Sequence, residues 1–137
     1  MKLNSYLMFK GNCKEAFKFY EQVLRGRSMM TMTFGESPMP DQSKPEERDL
    51  IMHTSLQIGD QVLMGSDAPS QMPFQPPQGF HISIGVDDVA EAERIYKALS
   101  EGGNVQMELQ KTFWAERFAM FSDRFGIPWM VNCEAPK

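Results

Sequence analysis

The sequence has few cysteines and little positive charge. Its 137 residues include two cysteines, Cys13 and Cys133, without metal-ligand spacing. We therefore expect two free thiols and a cytoplasmic protein rather than a disulfide scaffold. Lys and Arg number 14 against 18 Asp and Glu, the net charge is −4, and no basic run is longer than two residues. Nucleic-acid binding depends on many cation–phosphate contacts, so we expect no nucleic-acid partner.

Long apolar runs are also missing. No stretch approaches the roughly 18 apolar residues of a membrane-spanning helix. The N-terminal segment MKLNSYLMFKGN has no secretory apolar core. We therefore expect no membrane partner. What the chain does contain is methionine, with 12 residues. Methionine fills irregular gaps and lines adaptable pockets, and we expect most of the methionines to pack in the core.

The segment 80–103 has the pattern of a strand followed by a helix. Apolar residues alternate with small or polar ones from Phe80 to Val86, which indicates a half-buried strand. Asp87-Asp88 offers a helix N-cap. Apolar residues at helical spacing follow, and Gly102-Gly103 ends the predicted helix. The segment therefore predicts one compact strand–helix unit.

The same pattern opens the chain, from Ser5 to Gly26. A shift of 76 residues places Ser5 on His81 and Tyr20 on Tyr96. Three strand-like runs follow each helix: Ser28–Phe34, Asp49–Ile58 and Gln61–Ser66, then Asn104–Lys111, Glu116–Ser122 and Ile127–Cys133. We predict an α+β fold of two βαβββ modules, with curved, mixed but mainly antiparallel sheets around a cavity. The predicted boundaries are 1–67 for the first module, 68–79 for a linker and 80–137 for the second module.

The segment Gly35 to Arg48, GESPMPDQSKPEER, is the longest irregular stretch within a module. It holds three prolines and many charged residues, which predicts an exposed, mobile loop. Long loops often cover functional sites, so this loop is also a candidate lid.

Strands three, five and six carry a polar or mixed second face: His53, Ser55, His81, Ser83, Glu108 and Gln110. If the two sheets curl towards each other, these side chains line a shared cavity. Alternatively, the faces are solvated, as in many antiparallel sheets. We favour the cavity because large aromatic residues occur on the later strands. The candidate ligand-binding residues are His53, His81, Glu108, Trp114 and Trp129. Two alternatives remain open: in one, Trp114 closes the end of the barrel, and in the other, Trp129 packs in the core.

Three further polar residues have structural interpretations. Asp123 opens a hairpin turn and is expected to cap its own backbone. Asp67 ends the fourth strand and is expected to cap the linker in the same way. Cys13 begins the first helix, where a thiolate would be stabilised, but without a nearby histidine we interpret it as a buried residue of the capping turn.

Four motifs carry a family resemblance: Tyr6–Cys13 followed by Ala16 and Tyr20, Met64–Asp67, Thr112–Ala115, and Asp123–Trp129. Together they are similar to the vicinal oxygen chelate superfamily, which includes glyoxalase I, extradiol dioxygenases, and fosfomycin and bleomycin resistance proteins. Within it, the chain resembles the PhnB-like branch. The resemblance implies paired βαβββ modules, usually in a homodimer, and a small-molecule ligand.

Members of this branch are often labelled 3-demethylubiquinone-9 3-methyltransferase-like. The sequence has no glycine-rich loop after a strand and no doubly wound βα pattern that would bind S-adenosylmethionine. We therefore do not expect this label to describe the activity.

Metal-dependent members of the superfamily hold a divalent ion with four His or Glu ligands from four strands. Carried over one by one, these positions fall on Ser5, near Met64, on His81 and near Met130. Only His81 is a competent ligand, and thioethers do not suit hard cations. We therefore expect no metal and no other cofactor. The alternative is a divalent metal in a relocated two-His-one-carboxylate cluster of His53, His81 and Glu108.

Two functions remain open. The first is metal-free small-molecule binding of the bleomycin-resistance type, with His53 and His81 as polar anchors. The second is a metal-dependent lyase, isomerase or dioxygenase with a relocated or degenerate site. For acid–base chemistry without a metal, His81 and Glu108 would be the pair to suspect, because histidine titrates near neutral pH.

Overall fold

The structure is a computed structural model that describes residues 1–37 and 44–134. The chain divides into an N-terminal unit, Met1–Gln75, and a C-terminal unit, Pro76–Lys137. The division falls inside the segment 68–79 that the sequence indicates as a linker. None of the helices in the described ranges is both long enough and apolar enough to cross a membrane.

The N-terminal unit is a four-stranded sheet with one α-helix. Its elements are β1 (Ser5–Phe9), α1 (Cys13–Val23), β2 (Arg27–Thr33), a short 3-10 helix (Pro45–Glu47), β3 (Ile51–Ile58) and β4 (Gln61–Asp67). The strand order is β1-β4-β3-β2. Strand β1 is parallel to β4, and the other neighbours are antiparallel.

The C-terminal unit repeats this arrangement. Its elements are β5 (Ile82–Val86), α2 (Val89–Ser100), β6 (Asn104–Gln110), β7 (Arg117–Ser122) and β8 (Pro128–Cys133). The strand order is β5-β8-β7-β6, with β5 parallel to β8. The predicted α+β class, with two βαβββ modules and mixed but mainly antiparallel sheets, is therefore confirmed.

Each helix packs on one face of its own sheet. In the N-terminal unit the Phe17 ring meets Phe9 edge to face, with ring centroids 6.0 Å apart. Gly65 makes room for this ring, because a Cβ at that position would lie 2.6 Å from Phe17 Cε1. In the C-terminal unit Tyr96 meets Phe121 edge to face at 5.6 Å. The opposite face of each sheet, which we call its open face, is not covered by the helix of that unit.

The two copies differ by one residue between strand and helix. The first pair of the β1–β4 ladder is Ser5 with Leu63, and the first pair of the β5–β8 ladder is Ile82 with Trp129. Ser5 therefore corresponds to Ile82, and the predicted match of Ser5 with His81 is wrong by one residue.

The difference has a simple cause in the connections. The helices keep the offset of 76 residues, since Ala16 and Ala92 are both fully buried counterparts. Three residues, Lys10–Asn12, connect β1 to α1, whereas two residues, Asp87–Asp88, connect β5 to α2. The extra residue in the first connection shifts the strand by one position, and the position that corresponds to His81 is Asn4.

Strand β6 departs from the regular alternation that its sequence predicts. Its register against β7 shifts between Val105 and Met107 and again between Met107 and Gln110. Val105 pairs with Phe121 on the helix-covered face, whereas Met107 pairs with Met120. The side chains of β6 therefore do not keep one regular alternation between the two faces of the sheet.

The two helices begin with different caps. Asp88 caps α2 as predicted, by accepting the Glu91 backbone N–H at 3.0 Å. At α1 the cap is Asp67, whose Oδ1 accepts the backbone N–H groups of Gly11 at 2.9 Å and Cys13 at 3.0 Å. Its Oδ2 accepts the Ile51 N–H at 2.9 Å. Asp67 therefore joins β4, α1 and β3, in place of the linker cap that the sequence suggested.

The loop between β2 and β3 is described only in part. The Gly35 N–H donates to the Arg48 carbonyl at 2.9 Å, so the two sides of the loop meet just beyond the strands. Residues 38–43 lie outside the described residues, as do 135–137 at the C-terminus. The lid hypothesis for this loop stays a prediction.

Candidate functional site

The N-terminal open face is defined by cross-strand pairs. One row crosses all four strands as Tyr6, Met64, Ser55 and Met30. A second row includes Met8 opposite Ser66 and Met32 opposite His53. We call these eight residues the N-terminal open face. Four of the eight are methionines, so the surface is largely apolar and polarizable.

A Tyr–His pair crosses this face. The Tyr6 hydroxyl lies 3.1 Å from His53 Nδ1, and the two rings are 5.6 Å apart and tilted by 38°. Tyr6 is on β1 and His53 on β3, so the pair crosses β4, which lies between them. Tyr6 is 45% exposed and His53 is half-buried. A phenol and an imidazole can each donate or accept a hydrogen bond, so together they can anchor a polar group on an otherwise apolar surface.

The C-terminal open face has the same layout. One row runs Ser83, Met130, Met120 and Met107 across the sheet. The next row runs Gly85, Asn132, Phe118 and Gln110. Trp114, in the β6–β7 loop, places its ring 5.3 Å from that of Phe118. It is 49% exposed, and an exposed indole beside a sheet of methionines can stack a flat ligand.

The methionines are not where the sequence suggested. None of those in the described ranges belongs to the buried core, which is built from other apolar residues. Seven lie instead on the two open faces: Met8, Met30, Met32, Met64, Met107, Met120 and Met130. The expectation that most of them pack in the core is therefore wrong.

The positions associated with a metal ion hold unsuitable donors. Met64 pairs with Tyr6 and Met130 pairs with Ser83, so the two methionines occupy corresponding places in the two units. Thioether sulfurs bind soft ions and suit Mg²⁺, Mn²⁺ or Ni²⁺ poorly. Within residues 1–37 and 44–134, no three His, Cys, Asp or Glu side chains form a group that could hold a metal. The two thioether positions do not fit a divalent metal centre of the kind that the superfamily's metal enzymes hold.

The predicted site residues are divided between the two units. His53 belongs to the N-terminal open face. His81 lies directly before β5 and is half-buried, and Glu108 is exposed on the edge strand β6. Trp114 lies beside the C-terminal open face through its contact with Phe118.

Trp129 lies elsewhere. It is on the helix-covered face of the C-terminal sheet, paired with Ile82 and Phe121, and only 1% exposed. Its indole N–H donates to Asp123 Oδ2 at 2.8 Å. Trp129 therefore packs in the core, which was the alternative interpretation, and its assignment to the ligand site is corrected.

Asp123 organises the β7–β8 turn. Its Oδ1 accepts the backbone N–H groups of Phe125 at 2.8 Å and Ile127 at 3.0 Å, in addition to the Trp129 bond. This agrees with the structural role that the sequence predicts for it.

Tyr6 was missed by the sequence reasoning, although a signal was present. Leu7 and Phe9 are both buried, whereas Tyr6 and Met8, which alternate with them, are more exposed. A period of two from Tyr6 to Phe9 was therefore readable. The assumed offset of 76 residues concealed it, because that offset compared Ser5 with His81.

Cys13 offers no reactive thiol. Its side chain is fully buried. Burial, and secondarily the negative charge of Asp67, raise the pKa of this thiol far above its ordinary value. Because the thiolate is the nucleophilic form, Cys13 is a structural residue.

Comparison with known proteins identifies the family. A protein-family profile described as 3-demethylubiquinone-9 3-methyltransferase matches residues 1–132. The chain belongs to this family. Protein YjdN of Escherichia coli K12 is 33% identical over 142 residues, which cover 96% of this chain and 95% of YjdN.

Solved structures agree with this placement. Protein PA1353 from Pseudomonas aeruginosa is 48% identical, with 98% of each chain covered and a TM-score of 0.91. A glyoxylase/bleomycin resistance protein/dioxygenase domain from Frankia has a TM-score of 0.67 at 11% identity, with 98% of each chain covered, and shows the shared fold. The predicted family is therefore confirmed by the profile match, and the glyoxalase/bleomycin-resistance fold that the resemblance implies is confirmed by the structural similarity.

Proposed function

We propose that the chain is a metal-free small-molecule binding protein of the glyoxalase/bleomycin-resistance type, and that its ligand contacts the open faces. One observation carries this proposal: the methionines are absent from the described core and gather on the open faces. Half-exposed thioethers contribute little to packing, but they adapt to the shape of a guest and contact aromatic rings favourably.

The chemistry of these faces defines the ligand class. Met30 and Met64 provide apolar contact, and Trp114 can stack on a planar ring. The Tyr6–His53 pair offers one donor and one acceptor for a hydroxyl or carbonyl group. The N-terminal open face therefore suits a molecule with an apolar body and a polar oxygen, and the C-terminal open face suits a planar ring.

We also propose that the family description does not state the activity of this chain. Each unit has one parallel strand pair and a helix on one face of its sheet. Dinucleotide and S-adenosylmethionine sites of the doubly wound type need a parallel sheet with a glycine-rich turn. The topology of each unit supports a different mode of binding.

A homodimer in the cytoplasm is part of the proposal. The superfamily usually pairs its modules in a homodimer, and both cysteines are free and buried, which suits a reducing compartment. Light scattering coupled to gel filtration should give twice the 15.7 kDa of the chain. A monomer at micromolar concentration would remove this part of the proposal and leave the ligand site intact.

The central experiment is a thermal-shift screen of small metabolites and aromatic antibiotics. A true ligand at about 100 times its Kd stabilises the protein by about 2.7 kcal/mol. Tyr6→Phe and Met64→Ala should weaken binding of a hit, whereas Met72→Ala, at an exposed methionine off the sheets, should not. Hits insensitive to both open-face substitutions would contradict the proposal.

Metal analysis separates the two function classes. Protein purified without chelator should hold no stoichiometric metal, because the donors at the corresponding strand positions are thioethers. Stoichiometric Ni, Mn, Fe or Zn that is lost in His81→Ala would instead favour the metal-dependent lyase, isomerase or dioxygenase.

A further inference from the structure

A groove lies on the other side of the N-terminal sheet, between α1 and strands β2 and β3. Its volume is about 240 Å³, and Lys14, Lys18 and Glu21 of α1 line one wall. Because it is on the helix-covered face, it is separated by the sheet from the N-terminal open face. Whatever it binds is therefore independent of the function proposed above.

The floor of the groove is apolar, and its polar atoms are already hydrogen-bonded. Phe17 and Leu56 are buried there. The hydroxyls of Thr31 and Thr54 lie 2.9 Å apart, and the Thr54 hydroxyl also donates to the Met30 carbonyl at 3.2 Å. The two hydroxyls therefore satisfy each other, and the floor favours an alkyl or aryl group over a polar one.

The rim is charged and asymmetric. Lys14 and Lys18 are four residues apart, so they project from the same side of α1. Both are exposed, and among the described residues neither ammonium has an ion-pair partner. Glu21 follows one turn later, and its Oε2 accepts the Ser28 backbone N–H at 2.9 Å. One end of the groove is therefore cationic and the other end anionic.

We propose that this groove binds a small monocarboxylate with an apolar chain. The carboxylate lies between Lys14 and Lys18, and the chain lies over Phe17 and Leu56 away from Glu21. A water occupies about 30 Å³ in the liquid, so the groove of about 240 Å³ accommodates roughly eight non-hydrogen atoms, the size of hexanoate. A dicarboxylate would be disfavoured, because its second charge would approach Glu21.

The C-terminal unit lacks the side chains for such a groove. The Ser28–Leu56 pair of the N-terminal ladder corresponds to Val105 and Phe121 in the other unit. Both replacements are larger, and Tyr96 packs its ring edge against Phe121 at 5.6 Å. The proposal therefore assigns one carboxylate site to each chain, in the N-terminal unit.

Titration of the full chain with hexanoate and with 1-hexanol tests the proposal. Calorimetry should show saturable millimolar binding of hexanoate, as expected for so small a ligand, and weaker binding of 1-hexanol. Amide NMR shifts should change in α1, β2 and β3. The double variant K14Q/K18Q should weaken hexanoate binding about fivefold or more and leave 1-hexanol binding unchanged, and added salt should reduce the difference.

Lys97→Gln in α2 is a control for the loss of a positive charge elsewhere on the chain, since it lies in the other unit and should leave hexanoate binding unchanged. Far-ultraviolet circular dichroism checks that each variant is folded. The proposal is overturned by equal hexanoate affinity of K14Q/K18Q and the native chain. It is also overturned by NMR shifts confined to the Tyr6–His53 side of the sheet, or by the absence of saturable binding at millimolar hexanoate.

Discussion

The Tyr6 hydroxyl lies 3.1 Å from His53 Nδ1 across the N-terminal sheet. Tyr6→Phe keeps the ring and removes only this contact. Because Tyr6 is 45% exposed, the free energy of unfolding should fall by less than about 1 kcal/mol, while affinity for an open-face ligand falls. Urea unfolding and titration of a screening hit measure the two effects. A loss of stability of several kcal/mol with unchanged ligand affinity would assign the pair a purely structural role.

Asp67→Asn should be strongly destabilising. The carboxylate is 2% exposed and accepts three backbone N–H groups from two other segments. An amide presents only one acceptor oxygen, so at least one buried N–H loses its partner, at a cost of about 2–3 kcal/mol. Asp49→Asn, at an exposed site in the same unit, is the control and should change the unfolding free energy by less than about 0.5 kcal/mol. Equal effects of the two substitutions would contradict the capping role.

The two tryptophans provide a second matched pair. Trp129→Phe loses the bond to Asp123 and part of a buried ring, so it should cost about 3 kcal/mol. Trp114→Phe alters an exposed ring and should cost less than about 0.5 kcal/mol, but it should weaken ligand binding. Chemical denaturation and ligand titration distinguish the roles. If Trp129→Phe abolished ligand binding in a fully folded protein, the conclusion that Trp129 lies outside the ligand site would be wrong.

Gly103→Ala should disrupt the C-terminal unit. A Cβ at this position would lie 2.0 Å from the Ser122 carbonyl oxygen, and backbone atoms cannot move aside cheaply. We expect a loss of about 3 kcal/mol or more. Gly85→Ala, where nothing lies within 4 Å of the added Cβ, should instead stabilise strand β5 by roughly 0.5 kcal/mol. Thermal unfolding of both variants measures this difference in stability. Similar unfolding midpoints would contradict the close approach of position 103 to the Ser122 carbonyl.

Cys13 makes stability depend on alkaline pH. Its pKa is raised in the folded protein, by burial and then by Asp67. The unfolded thiol ionises near pH 8.5, so above that pH the unfolded state loses a proton that the folded state keeps. This contribution to stability is therefore complete below that pH and decreases as pH rises above it.

Two measurements test the Cys13 prediction. Urea midpoints should fall between neutral and alkaline pH, and they should fall less in Cys13→Ala. Iodoacetamide should modify Cys13 only after unfolding, because the folded thiol is buried and protonated. Rapid modification of Cys13 in the native protein would show that the thiol is accessible.

Periodicity was sufficient to predict most elements and their order along the two modules. The alternation in β5 and the Asp88 cap of α2 depend only on local spacing, and both agree with the structure. The register between strand and helix could not be predicted in this way, because a connecting segment can gain a residue without disturbing the core. Lys10–Asn12 absorbs the extra residue, so helix counterparts keep one offset and strand counterparts another. The bulges in β6 were not predicted either, because an edge strand tolerates extra residues that its sequence pattern does not reveal.

The site was less predictable than the fold because both faces of some strands are apolar. In β8, Trp129 and Val131 alternate with Met130 and Asn132, so each face of the strand carries a large apolar side chain, and Trp129 by itself does not show which face meets the helix. The partner strands decide it, because Trp129 pairs with Ile82 and Phe121. The methionines of the open faces were overlooked because methionine is apolar and was therefore counted with the core residues.

The three-residue connection after β1 also affects how the two halves of the chain are compared with each other. An ungapped superposition of the two halves compares Ser5, next to buried Leu63, with His81, although these side chains belong to opposite sides of their strands. Within the chain, Asn4 therefore corresponds to His81, and Tyr6 corresponds to Ser83. Alignments that introduce one gap between Phe9 and Asn12 would recover both correspondences.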